Sequence, residues 1–363
     1  MNVYLKKVLV MAVVMFAATA ASAQFATRNA KSVTPGQQEG VYYSVPKTVL
    51  RLDFRIEESV LIEGPYSAYA DRYLGSANVA RGKSRQFKLV DVTINSCSAP
   101  DPDATFFVEF TRKAAKRVSV GLDGNGILET FVVGDNPFVS NANQTVGDSD
   151  NAMQTKGIDT SMIFRAAITP AMGRPLEQQA RAAAEKITEI RDAKMKLLTG
   201  FQEVAFEGDA VKSMYAELDA MENEYLSLFL GKRLTKEVVR SVYVTPTREN
   251  NIISVARFSL RNGLSSSQGD GEMITLTVMP SETTSSIKAP SHSAIESATH
   301  ENKLVYRIPE TANVKVACGS RLLAEKRCVI SQLGVLLLAP IGKGQNGLLF
   351  DTTTGQLIGV SRE

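Results

Sequence analysis

The 363-residue chain contains no tryptophan, two histidines and three cysteines, and each shortage removes a class of chemistry. Any histidine base, nucleophile triad or histidine-ligated metal must draw on His292 and His300. Both lie in a Ser/Thr-rich stretch without an HExxH pattern, so they read as solvated loop side chains. Cys97, Cys318 and Cys328 are too few for a disulfide scaffold or a four-cysteine zinc site. Neither a GxSxG elbow nor a phosphate-cradling glycine loop occurs. Charge of one sign is lacking too: 41 basic residues nearly balance 38 acidic ones, so nothing draws the chain in bulk to nucleic acid or anionic lipid. No cofactor, metal or nucleic-acid partner is expected. Beyond residue 23 no apolar run reaches 18 residues, and no membrane span is expected.

What is present begins with a leader. Lys6 and Lys7 precede an apolar run from Val8 to Ala20, and Ala21 and Ala23 offer the small side chains that signal peptidase accepts. Cleavage after Ala23 is expected, with Gln24 rather than a lipid-bearing cysteine at the new terminus. The exported chain of about 340 residues is then long enough for two domains.

Small polar residues over 24–40 read as a flexible tail. Leu50, Leu52, Phe54 and Ile56 then alternate with Arg51, Asp53, Arg55 and Glu57, which predicts a strand with one face on a core. Further strand-like runs come after it, and Asp123–Gly126 reads as a hairpin turn rather than a calcium loop, because Asn-Gly between alternating runs is a strong turn signal. Leu176, Ala180, Ala183, Ile187 and Ile190 recur at helical spacing, as do Val211, Met214, Leu218, Met221, Tyr225 and Leu228. The reading is two helices zipped through narrow apolar stripes as in a coiled coil. Strand patterning resumes beyond Thr235. The expected fold class is α+β: two antiparallel β-sandwich-like domains joined by a long antiparallel helical hairpin. Its parts are a signal peptide over 1–23, the tail over 24–40, a β domain over 41–170, the hairpin over 171–235 and a second β domain over 236–363.

Two sets of residues stand out as candidate sites. Tyr66, Tyr69 and Tyr73 recur at three and four, which would stack three rings on one helix face. That face either binds a ligand or caps the edge of a β domain with its hydroxyls in water. Cys318 and Cys328 close an eleven-residue segment, CGSRLLAEKRC, that could fold back as a hairpin, so they either bridge or remain reduced core residues.

Several segments, among them GVYYSVPKTVLRLDF (Gly40 to Phe54), GPYSAYADRYLG (Gly64 to Gly75), LDAMENEYLSLFLG (Leu218 to Gly231) and SQLGVLLLAP (Ser331 to Pro340), resemble an exported bacterial family known as domain of unknown function 4831. The resemblance implies a Bacteroidetes-type source and a periplasmic or outer-surface setting. It brings no activity and no catalytic residue. The expected role is a non-enzymatic scaffold or interaction module of the cell envelope, meeting a protein partner or a second copy through the helical hairpin. The rivals are a carboxylate-pair hydrolase and a glycan- or ligand-binding module.

Overall fold

A computed structural model describes residues 24–34, 36, 38–112, 115–134, 163–164, 173–199, 208–342 and 345–362. The expected leader (1–23) and most of the polar stretch 134–156 lie outside the described residues. In chain order the elements are β1 (Phe25–Asn29), β2 (Gly40–Ile62), α1 (Ala70–Leu74), β3 (Ser84–Phe110), β4 (Val118–Leu122), β5 (Leu128–Val133), α2 (Leu176–Thr199), α3 (Gly208–Leu230), β6 (Lys232–Val244), β7 (Ile252–Ser259), β8 (Gly263–Ser265), β9 (Glu272–Pro280), α4 (His292–Ser297), β10 (His300–Glu301), β11 (Lys303–Cys318), β12 (Arg321–Pro340), β13 (Gln345–Phe350) and β14 (Leu357–Arg362).

The strands form three antiparallel sheets. The first runs β10-β1-β3-β2-β6, the second β12-β11-β9-β7-β8, and the third β14-β13-β5-β4. Alternation builds them: Leu50, Leu52, Phe54 and Ile56 point inward from β2, while Arg51, Asp53 and Arg55 point out. These inward residues meet Leu276, Val314 and Ile330 of the second sheet in one core. Four strands are long enough to leave that core and enter another. Tyr43 and Val45 of β2, Phe106 and Val108 of β3, Leu304 and Val305 of β11, and Leu336 and Ala339 of β12 pack against Phe131 and Leu348 of the third sheet. The change of core coincides with register shifts between Ser44 and Pro46 and between Ile308 and Glu310. An irregularity of this kind bends a strand and redirects its faces.

Between the two cores lies a polar seam. The Arg307 guanidinium donates to the Pro46 carbonyl at 2.8 Å and to Asp101 Oδ2 at 2.9 Å, and both members of this ion pair are buried. Nearby, Thr48 exchanges hydrogen bonds with Ser331 and Gln332, tying β2 to β12.

The expected layout of two β domains joined by a long helical hairpin is overturned, and with it the α+β class: the chain is mostly β, with fourteen strands against four α-helices among the described residues. Strands from before and after the helices share sheets. β2 pairs with β6 over Leu50↔Val244 to Ile62↔Lys232, β1 pairs with β10, and β5 pairs with β13. The described residues therefore leave no second body for the helices to join. Nor do the apolar stripes zip along their length. Ala180, Ala183 and Ile187 of α2 share a cluster with Tyr225 and Leu228 at the end of α3, but earlier along α3 Met221 is exposed and Val211, Met214 and Leu218 are only half-buried. The two helices are instead bridged by charge: Lys194 Nζ reaches Asp219 and Glu222 at 2.7 Å each, and Arg191 reaches Glu222 at 2.6 Å. The residues expected to connect them, 200–207, lie outside the described residues.

The flexible-tail expectation is corrected as well. β1 sits inside the first sheet, and Phe25 fills the second core against the Phe131 ring, 4.7 Å between centroids. Alternate small and polar residues hid a strand whose inward positions are Phe25, Thr27 and Asn29.

Candidate functional site

The tyrosine segment builds a clamp. Tyr66 is 1% exposed and packs on Phe229 at 5.6 Å, while its hydroxyl donates to Gln179 Oε1 of α2 at 3.2 Å. Its backbone N–H meets the Leu228 carbonyl at 2.8 Å, and the Ala80 N–H meets the Leu230 carbonyl at 3.0 Å. The last carbonyls of a helix have no partner within it, so this segment satisfies α3 at the point where it would otherwise fray. The three rings therefore do not stack on one open face. Only Tyr69 and Tyr73 face each other, at 6.3 Å, because a 3₁₀ turn at Ser67–Tyr69 precedes α1 and rotates Tyr66 inward.

The clamp also fixes where β6 starts. Gly231, at φ +88, reverses the chain in the left-handed region directly after α3, with the Ile62 carbonyl and Ala80 too close for any side chain. β6 begins one residue later and lies along β2 for thirteen residues without a register shift.

Beside β6 is a cleft of about 200 Å³, lined by Ile56 and Glu58 of β2, Arg85 and Phe87 of β3, Val238 and Arg240 of β6, and Asn262, Gly263 and Leu264 at the start of β8. Register explains the grouping. Phe54, Ile56 and Glu58 lie opposite Arg240, Val238 and Lys236, and cross-strand partners share a face. Arg85 grips the buried Glu58 carboxylate through Nε at 2.7 Å and a terminal nitrogen at 2.6 Å, and its guanidinium lies 5.0 Å over the Phe87 ring. The turn after β7 closes the far wall: the Phe87 N–H donates to the Leu260 carbonyl at 2.8 Å, and Gly263, at φ +70, lies against the Phe87 ring.

The open edges of the sheets differ. β10, β8, β4 and β14 are short edges of two, three, five and six residues. β12 is long, but β2 and the loop after β6 cap it: Thr48 Oγ1 accepts from the Ser331 N–H at 3.0 Å, and Arg248 donates to the Leu333 and Gly334 carbonyls. β6 has thirteen residues and no described strand on its far side. In an antiparallel pair alternate residues turn their N–H and C=O outward, and among the described residues no strand takes up those of β6. Val239 and Tyr243, 60% and 50% exposed, stand on its outer face.

The other sequence candidates are placed elsewhere. Cys318 and Cys328 share a core but are free thiols, and their strand partners are Arg321 and Ala312 respectively. The six positions separating Ala312 from Cys318 on β11 amount to about 20 Å at 3.3 Å per residue, far beyond bridging distance. Burial, with the Glu272 carboxylate beside Cys318, pushes the thiols up. His300 is not a solvated loop residue: it is buried on β10 with Nε2 2.9 Å from the Ile295 carbonyl, while His292 lies 3.4 Å from Glu296. At Asp123 the hairpin reading is observed, with Oδ1 accepting from the Asn125 and Ile127 amides. Glu58, Arg85, Arg240 and Asn262 do not stand out in the sequence. The signal that could find Glu58 is parity, since it continues the inward series Leu52, Phe54, Ile56.

Among the described residues no cluster of three or more His, Cys, Asp or Glu is placed to hold a metal ion, and no helix is long and apolar enough to cross a membrane. A family model described as Domain of unknown function (DUF4831) matches residues 39–358. No curated protein and no solved structure matches.

Proposed function

We propose that this chain, which belongs to the DUF4831 family and so inherits no assigned activity, is an exported cell-envelope protein that acts by binding an extended segment of another protein along β6. One observation carries the binding mode: thirteen residues in unbroken register with β2, and no described strand on the other side. Strand addition to such an edge draws affinity from the backbone ladder and specificity from pockets beneath alternate side chains, and the Arg85–Arg240 cleft lies under the inward face of this strand. Export is supported by the basic, apolar and small-residue order of Lys6 to Ala23, and the resemblance to Bacteroidetes-type proteins supports a Gram-negative setting.

A carboxylate-pair hydrolase needs two facing acids. The cleft supplies one, Glu58, already gripped by Arg85.

Photo-cross-linking in cells tests the reading. A benzophenone amino acid at Val239 or Tyr243 is expected to capture a discrete envelope protein, and one at Met195 or Leu198 of α2, equally exposed, is not. Capture from α2 alone overturns β6 as the contact. Terminal sequencing of the envelope fraction is expected to begin at Gln24, and a cytoplasmic chain starting at Met1 overturns export.

A further inference from the structure

The cleft beside β6 carries more positive than negative charge, and its charges are arranged by strand register. Lys232, Leu234, Lys236, Val238, Arg240 and Val242 alternate along the inward face of β6, so every cation on that face is separated from the next by an apolar neighbour. Arg85 adds a further guanidinium from β3. Of the charged residues that line the cleft itself, Arg85 and Arg240 are basic and Glu58 is acidic, its carboxylate already bound by Arg85. The outward face of β6 carries Arg233, Thr235 and Glu237 in its first half, but beside Arg240 it differs in kind: Val239 and Tyr243 flank Ser241, whose hydroxyl is committed to Asp53 at 2.6 Å.

From this asymmetry we infer that the segment added to β6 is acidic on one face, placing an Asp or Glu side chain in the cleft against Arg240, with β-branched or apolar residues alternating on the other face over Val239 and Tyr243. The inference rests on strand addition at β6.

Geometry fixes the pairing. An added strand lies about 4.8 Å beyond β6, and a residue directly opposite Arg240 has its Cβ about 5 Å from the arginine Cβ on the same face. A carboxylate there is within reach of a two-pronged guanidinium contact. A second copy of this chain fits badly, because two β6 strands paired antiparallel over their full length would set Lys236 directly opposite Arg240 twice, like charge against like. The edge is therefore protected against itself while remaining open to an acidic strand.

The test uses the whole chain and two fluorescent nine-residue peptides, one alternating Val or Thr with Glu, the other carrying Gln at every Glu position. Fluorescence polarisation gives affinity, and hydrogen exchange over residues 232–244 reports the place. The Glu peptide is expected to bind at least tenfold more tightly than the Gln peptide in 0.15 M salt, and to slow exchange along β6. Arg240→Glu, a change at an exposed side chain, is expected to abolish that preference. Equal affinity for both peptides, with β6 protected, overturns acid selection and leaves strand addition standing. If neither peptide protects β6, strand addition falls and the charge inference falls with it.

Discussion

Glu310 holds the most heavily hydrogen-bonded buried carboxylate among the described residues, and replacing it with Gln tests how the seam of β11 is held. It is 2% exposed, just past the register shift after Ile308. Five donors converge on it: the Thr283 and Thr311 amides at 2.9 Å and the Thr283 hydroxyl at 2.5 Å on one oxygen, and the Thr284 amide at 3.0 Å and hydroxyl at 2.7 Å on the other. Burial alone would raise the carboxyl pKa. The hydrogen bonds outweigh it and hold the value at about 2 against an ordinary 4.5. Because the folded value is the lower one, the linked stability is complete above the unfolded pKa and is lost as pH falls from about 4.5 toward about 2. At about 1.4 kcal/mol per pH unit the difference amounts to roughly 3 kcal/mol at neutral pH, with about 1.4 kcal/mol remaining at pH 3. Gln cannot ionise, and its amide nitrogen would face donors. Urea unfolding of wild type and Glu310→Gln, compared at equal slope, is therefore expected to differ by about 3 kcal/mol at pH 7 and by about half that or less at pH 3. A difference that stays constant between those two pH values would refute the assigned ionisation and the reasoning with it.

Two further outcomes rest on buried groups. Asp101→Ala leaves the Arg307 guanidinium buried without its counter-charge, so a loss of about 3–5 kcal/mol is expected in urea unfolding, and a loss below about 1 kcal/mol would mean water reaches the seam. Thiol counting in denaturant without reductant is expected to find Cys97, Cys318 and Cys328 all free after oxidative purification, whereas one free thiol per chain would show that Cys318 and Cys328 pair despite their register.

Much of the local structure was legible. The alternation at Leu50–Ile56 marks a strand, and the apolar spacing marks two helices whose ends fall within a few residues of Leu176–Thr199 and Gly208–Leu230. Failures occurred where tertiary partners override a local pattern. The alternation is read from Leu50, yet β2 begins at Gly40 and passes through Pro46 at a register shift. The α3 stripe looks fit to zip against α2, but Lys194 stands on the buried side of α2 and draws Asp219 and Glu222 across, which keeps the far end of α3 polar. The polar stretch 281–302 reads as surface, yet Thr283 and Thr284 solvate Glu310, and Ile295 is fully buried. Small polar residues meet the same description whether they face water or a buried charge.

The cleft was illegible for a related reason, and that reason bears on what it does. Glu58, Arg85, Arg240 and Asn262 come from four strands or turns, and β2 meets β6 only after the α2–α3 excursion returns the chain to the first sheet. Within each strand an inward charge looks like an error of patterning, since inward positions of a sandwich are normally apolar. Glu58 with Arg85 could have been a closed pair, complete in itself. Arg240 changes the balance: it shares their face, opposes Phe54 across the strands, and is exposed on a thirteen-residue edge that nothing described covers. Arg240 has no carboxylate partner among the described residues, while Glu58 beside it is already neutralised by Arg85. An incoming carboxylate on an added strand supplies that partner and the missing row of hydrogen bonds together.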